Sequence, residues 1–568
     1  MNNAAKPESL PNDEPPFLTV DLLVVGTGTG LAAALSAREQ GLDVLVIEKT
    51  DLVGGSTARS GGAFWIPANP ILNELGGADT EERALNYVTS VVNGTSPIEK
   101  LETFIDYGSD TVRMLSRTTR LRFTWAKGYS DYHPEQPGGS AVGRSCESAP
   151  FDTAKLGDRR SELRPGVLEL PVPVPVTGGD YKWLNLITKA PLRGMRVAMQ
   201  RGIQGIGGLL LGRRYVAGGQ ALAAGLFDGL LRSGATLWTN TALEELVHGD
   251  EGVRGAVLRR GDDRVIVRAE RGVVIASGGF DHDMVRRRSE QSPALENWSL
   301  GSEGNTGDGI SIAQAAGADV DLMDQAWWFP AIAPEPGGQP TVMLAERSLP
   351  GSFMVDRHGR RFVNEAEDYM SFGQHVLARE KADDPVGDMW LVFDQEYRNS
   401  YLLGGTIFPR MPLPASWYRS GIAVRASSWR ELAERIGVPV NSFVATATGF
   451  NAAAAVGIDD DFGRGGSAYD RYYGDPTVVP NNNLRPLDAG HLYAVRVVLS
   501  DLGTCGGIRT DELGRALDTG GNVIDGLYAI GNAAANLFGD RYPGAGATIG
   551  QGLVYGHIAA THAARRSR

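Results

Sequence analysis

Residues 20–50 read VDLLVVGTGTGLAAALSAREQGLDVLVIEKT, and this stretch decides the fold class. The apolar run Leu22–Val25 breaks at glycines, small residues then recur as in a helix, and VLVIE forms a second apolar run. Strand, helix and strand in that order make a βαβ unit of a buried parallel sheet. Gly26 permits the tight turn after the first strand, and Gly28 lets the backbone approach a pyrophosphate. The helix start would offer that ligand its unpaired N–H groups and positive dipole end. The spacing is one residue short of G-x-G-x-x-G, but Gly30 still stands far enough ahead of Glu48 to serve as the packing glycine. Glu48, followed by Lys49, ends the second strand, where a carboxylate accepts hydrogen bonds from a ribose. The bland alternative is a plain helix-packing turn, and NAD and FAD share the unit.

Composition supports a glycine-dependent ligand site. The chain has 568 residues, 74 of them glycine, roughly twice the usual ~7%. No G-X-Y period accompanies them, so the excess points to tight turns and close backbone approaches. A net charge of −12 argues against a nucleic-acid binder. Two cysteines, Cys146 and Cys505, cannot build a disulfide framework, and the eight histidines lack ligand spacing, so no metal is expected. Residues 1–17 are Pro-rich without an apolar signal region and read as a frayed arm. No apolar run suffices to span a membrane. The expected location is the cytoplasm, with the inner face of the cell membrane as a docking place.

Directly after the second strand comes Gly54-Gly55-Ser56-Thr57-Ala58-Arg59-Ser60-Gly61-Gly62. This loop resembles the one that FAD enzymes of the fumarate-reductase and succinate-dehydrogenase type wrap around their cofactor. GLYAIGNAAANLFGD (526–540) resembles the strand by which those chains return to the nucleotide domain, and RGVVIASGGFDHD (271–283) reads as a further strand-then-glycine crossing. The expected fold is α/β. A discontinuous Rossmann-type FAD-binding domain comprises 18–296 and 499–568, and 297–498 form an inserted α+β substrate domain. The loop holds no histidine, so the FAD is expected to be non-covalent. Besides Gly26, Gly28, Gly30, Glu48 and Lys49, the resemblance implies cofactor contacts from Gly54, Gly55, Ser56, Thr57, Ser60, Gly61 and Gly62. It adds Ser277, Gly278, Gly279, Asn305 and Asp308, then Gly531, Asn532, Ala547, Thr548 and Ile549.

In the middle of the chain, FMVDRHGRRFVNE (353–365) reads as a hairpin, strand, turn and strand. YSDYHPEQPGG (129–139), GRS (143–145), GRRFVNEAEDY (359–369), SAYDRYYGDP (467–476) and YPGAGATIG (542–550) together resemble the 3-ketosteroid dehydrogenases, particularly the Δ1-dehydrogenases. By that resemblance Tyr542 and the Gly546 N–H hold the steroid C3 carbonyl, Tyr369 is the base at C2 and Tyr132 assists it. The chemistry is coherent: a ketone stabilised as an enolate acidifies its α C–H, and a phenolate stabilised by a hydrogen bond from a neighbouring phenol can take the proton. Hydride from C1 would pass to flavin N5. The two acids before Tyr369, Glu367 and Asp368, would hinder a phenolate if they faced the site. A Δ4-(5α)-dehydrogenase of the same fold is the alternative, and a non-catalytic steroid or flavin binder comes from another class. The electron acceptor, a quinone or another carrier, stays open.

Residues 166–217 form an insertion of different composition. From Tyr181 to Leu226 it carries seven Lys/Arg and no acid, with Leu, Ile, Met, Val and Trp183 interleaved. This reads either as an interfacial membrane segment or as a core-covering insertion whose cations pair with the acidic body.

Overall fold

The βαβ unit forms as read: strand β1 (Leu18–Val25), helix α1 (Gly30–Glu39) and strand β2 (Val44–Ile47), with Val25 opposite Ile47 in a parallel pair. This computed structural model describes residues 18–167, 174–249 and 252–566. The 1–17 arm therefore lies outside the described residues. On its other side β1 pairs in parallel with Asp263–Ile275, which pairs in parallel with the return strand Val523–Ala529. The two ends of the chain thus share one eight-stranded sheet. Every residue of α1 from Gly30 to Ala37 is buried, because its alanines let it lie between the sheet and the helix Ala547–Arg565. Gly552 and Gly556 of that second helix face Thr29 and Ala33, where a Cβ would come within 2.5 and 3.1 Å.

A second, antiparallel sheet runs in the order Thr341–Val342, Ala326–Ile332, Leu492–Thr504, Met389–Asp394 and Ser352–Val355. Leu492–Thr504 ties it to the first layer, since the Thr504 hydroxyl accepts from the Phe280 N–H at 3.0 Å. Helix Tyr369–Lys381 lies directly on Ala326–Ile332. Gly373 makes this possible: a Cβ there would stand 2.1 Å from Trp328 Cβ.

The expected hairpin at 353–365 forms only its first strand and its turn. Ser352–Val355 pairs with Met389–Asp394, and Asp356 N–H donates to the Arg360 carbonyl at 2.9 Å, but residues 361–365 form no strand. The reason is a buried ion cluster. Glu365, fully buried, accepts from Arg361 at 2.7 Å and Arg464 at 3.2 Å, and Arg361 also binds Asp459 at 2.8 Å. Those partners pull the segment out of strand register.

The insertion folds as helices Gly178–Asn185 and Pro191–Gly202, continued by a short π-turn and Gly208–Leu210; residues 168–173 fall outside the described set. Many of its cations are engaged: Lys189 with Glu396 at 3.3 Å, Arg201 with Asp180 at 2.7 Å, and Lys182 and Arg193 over aromatic rings. Among the described residues, no helix is long and apolar enough to cross a membrane and no side-chain cluster could hold a metal.

Candidate active site

One cavity of about 690 Å³ joins the βαβ turn to the second sheet. At one end lie Gly26, Gly28, Glu48 and Lys49, then Gly55, Ser56, Thr57, Ser60, Gly61 and Gly62. Ser277, Gly278, Asn305, Asp308, Gly531, Asn532, Thr548 and Ile549 complete that wall. Gly26 (φ +109°) is irreplaceable on geometry, since a Cβ would meet the Ala276 carbonyl oxygen at 2.3 Å. Gly28 has only Thr57 Oγ1, at 3.3 Å, close to where its Cβ would be, so the backbone there is open to the cavity. Glu48 is held in place: one oxygen accepts from the Thr27 N–H and hydroxyl, the other from the Thr50 N–H and hydroxyl. The start of α1 and that of Ala547–Arg565 both reach the cavity, and neither helix has an acid in its first turn. Two such helix starts, a bare glycine backbone and a cavity-lining carboxylate fit a dinucleotide.

Some expected contact residues stand behind this wall. Gly30 packs against Ala276 Cβ and Val24, and Gly54 (φ +117°) against Ala58 and Ala223. Gly279 backs onto Thr504, and Ala547 is buried in the helix start. Each shapes the cavity without lining it. Lys49 and Asp308 line it together as an ion pair at 2.7 Å.

At the other end Tyr132, Tyr369 and Tyr542 form a triangle of rings, with centroids 5.5, 5.2 and 5.4 Å apart. Tyr369 is the first residue of its helix, which Asp368 caps by accepting from the Ser371 N–H and hydroxyl. Glu367 turns to His375 at 2.9 Å. Neither acid lines the cavity. Tyr542 and Tyr132 share an anchor: the Pro543 carbonyl accepts from the Tyr132 N–H at 3.0 Å and the Tyr87 hydroxyl at 2.6 Å. Asp131 fixes the Tyr132 loop, accepting from Trp65 Nε1 at 2.9 Å and from the Arg144 guanidinium. Gly546 (φ +89°) begins the helix Ala547–Arg565, and a Cβ on it would meet the Ala63 carbonyl at 2.2 Å.

Burial pushes the Tyr369 hydroxyl well above the usual tyrosine range; the Tyr542 and Tyr129 phenols add to the push and the nearby Tyr132 hydroxyl opposes it. Tyr542 is pushed up by burial, against the Tyr369 hydroxyl and the N–H groups of Gly546 and Thr548. Tyr132 Oη is buried and has no hydrogen-bond partner among the described residues. The expected bond from Tyr132 to Tyr369 is therefore not made, and their edge-to-face contact keeps the two phenols adjacent. Sequence reasoning missed the apolar remainder of this end, including Phe329, Val342, Leu344, Leu402 and Phe408, together with Val174, Val176, Tyr181 and Leu184 of the insertion. Scattered single apolar residues carry no motif. The insertion's composition was the one available signal.

The FAD binding domain family model matches residues 21–549. The 3-oxosteroid 1-dehydrogenase of Mycolicibacterium smegmatis is 42% identical over 551 residues, covering 95% of this chain and 96% of its own. A 4-oxocyclohexanecarboxylate 2-dehydrogenase of Sinomonas cyclohexanicum is 35% identical, covering 96% of this chain and 92% of its own. The crystal structure of 3-ketosteroid Δ1-dehydrogenase from Sterolibacterium denitrificans, in complex with 1,4-androstadiene-3,17-dione, superposes with a TM-score of 0.89 at 34% identity, covering 96% of this chain and 99% of its own. The chain thus belongs to the FAD-binding flavoproteins, in the 3-oxosteroid 1-dehydrogenase family.

Proposed function

We propose that the protein dehydrogenates 3-ketosteroids between C1 and C2. The observation that carries this reading is the tyrosine triangle beside the Gly546 helix start, set at one end of a largely apolar cavity. The C3 carbonyl accepts hydrogen bonds from the Tyr542 O–H and the Gly546 N–H. Each such donor stabilises a developing enolate by ~3–4 kcal/mol. The acidified C2 proton goes to Tyr369 in its phenolate form, and the Tyr132 hydroxyl, unpartnered among the described residues, is placed to hydrogen-bond that phenolate oxygen before the transfer. FAD, held along Gly26–Glu48 and Gly55–Gly62, supplies the acceptor for the C1 hydride when bound. Phenols suit a neutral steroid, because a buried cation there would bear an uncompensated desolvation cost.

A carboxylated cyclic ketone fits less well. Among the described residues the lining cations are Lys49 and Arg59; Lys49 is paired with Asp308, and Arg59 donates to the Leu300 carbonyl and to Gln339. A substrate carboxylate would find no unengaged cation. We also assign contact with a membrane surface to the insertion. Product identification tests the activity. Incubating the holoenzyme with a 3-keto-4-ene steroid should yield the 1,4-diene. A 4-ene formed only from a 5α-saturated ketone would favour the other regiochemistry, and no product from either would leave a binding protein.

A further inference from the structure

Strand Ala326–Ile332 carries two consecutive tryptophans, and a bulge decides where the first one points. Ala326 pairs with Thr504 and Trp328 with Asp501, so Leu502 and Gly503 together stand opposite Trp327. Such a bulge puts one extra residue on a strand and re-aims the side chain beside it. Trp327 is fully buried, and its Nε1–H donates to Asn532 Oδ1 at 3.2 Å. Gly503, at φ +135°, makes room for that bond: a Cβ there would stand 2.5 Å from Asn532 Nδ2 and 3.5 Å from Trp327 Cδ1.

The same amide oxygen takes a second donor. The Thr548 hydroxyl donates to Asn532 Oδ1 at 2.9 Å. Two donors on one atom fix which end of the amide is the oxygen. Each donor leads to a different part of the carbonyl site. The Trp327 ring lies against Tyr542, with centroids 4.6 Å apart, while Thr548 stands in the first turn of the helix that Gly546 opens. Asn532 itself belongs to the short turn Gly531–Ala533, just after the return strand Val523–Ala529. One oxygen of the nucleotide half therefore ties down both the ring behind the Tyr542 hydroxyl and the helix start behind the Gly546 N–H.

We propose that Trp327 and Asn532 are positioning residues: their hydrogen bond, together with the one from Thr548, forms a clamp that holds Tyr542 and Gly546 at the spacing a single ketone oxygen needs. Trp327 acts without touching the steroid, since it does not line the cavity among the described residues. The inference rests on the proposed reading of Tyr542 and Gly546 as the carbonyl donors. Oxyanion stabilisation needs both donors about 2.7–3.1 Å from one point. A loosened donor therefore loses more in the transition state than in substrate binding.

A double-mutant cycle on the FAD-loaded full chain tests the clamp, read by kcat for 1-ene formation and by the carbonyl stretch of a bound 1,4-diene-3-ketone. Trp327→Phe keeps a ring against Tyr542 and removes the N–H. It should lower kcat by roughly tenfold with little change in KM. It should also move the carbonyl stretch, which hydrogen bonding lowers, part of the way back toward its free value. Added to Tyr542→Phe, it should cost less than about twofold, because the donor it places is gone. If Trp327→Phe folds poorly, Asn532→Ala gives the second reading. At saturating FAD it should reproduce both changes, and Asn532→Asp, which keeps an acceptor oxygen, should recover much of the kcat. A Trp327→Phe penalty unchanged in the Tyr542→Phe background, an unmoved carbonyl stretch, or an Asn532→Ala variant that behaves as wild type would overturn the clamp. If Tyr542→Phe itself moves neither kcat nor the stretch, the carbonyl assignment fails and the clamp with it, so the two failures read differently.

Discussion

Replacing Tyr542 by Phe removes one hydroxyl and keeps the ring. That ring packs on Trp327 at 4.6 Å, Tyr132 at 5.2 Å and Tyr369 at 5.4 Å, so the triangle should survive. Burial keeps the Tyr542 hydroxyl protonated through the neutral range, which makes it a hydrogen-bond donor there. Losing a donor to a developing oxyanion costs ~3–4 kcal/mol, or about 10²–10³-fold in rate. The Gly546 N–H remains, and the site is buried, so the lower end, about 10²-fold, is expected. Most of the loss should fall on kcat, because a ground-state ketone is a weaker acceptor than an enolate. The assay is the rate of 1-ene formation by the holoenzyme, with the flavin-to-protein ratio and Tm measured in parallel. A variant within about fivefold of wild type, folded and FAD-loaded, would refute the carbonyl assignment.

Further outcomes follow from the same geometry. Because burial raises the Tyr369 hydroxyl, its phenolate is scarce at neutral pH, so kcat/KM should rise with pH toward the alkaline side; Tyr132→Phe removes the opposing hydroxyl and should move that limb higher still, and an unmoved limb would remove Tyr132 from its role. Gly26→Ala should yield little folded holoenzyme, since its Cβ meets the Ala276 carbonyl at 2.3 Å, whereas Gly28→Ala should fold and bind FAD more weakly; equal flavin-to-protein ratios in both would contradict this. Glu365→Gln leaves the buried Arg464 without its carboxylate and should cost ~3–5 kcal/mol, read as a lowered Tm with the flavin ratio controlled; an unchanged Tm would show that the cluster is not stabilising.

The nucleotide half was legible because its cues are local. Glycines at turns and apolar runs at strands lie next to each other in sequence, and backbone sterics force their meaning at Gly26 and Gly62. The tyrosines were legible through motifs, but not their setting. Nothing near Arg361 and Glu365 says that Asp459 and Arg464 will pull them from a strand. Those outcomes depend on partners distant in sequence. The insertion shows the same limit. Its composition joined cations to apolar residues without saying which would face out, and the fold engages many of the cations while exposing many of the apolar residues.

A tyrosine triangle that receives a 3-ketone must be seen holding one. The most direct measurement is a crystal structure of the holoenzyme with a 1,4-diene-3-ketone bound. The C3 oxygen should lie within about 3 Å of both Tyr542 Oη and Gly546 N, with C2 facing Tyr369. A carbonyl pointing to the mouth at Phe408, or C2 turned away from Tyr369, would contradict it.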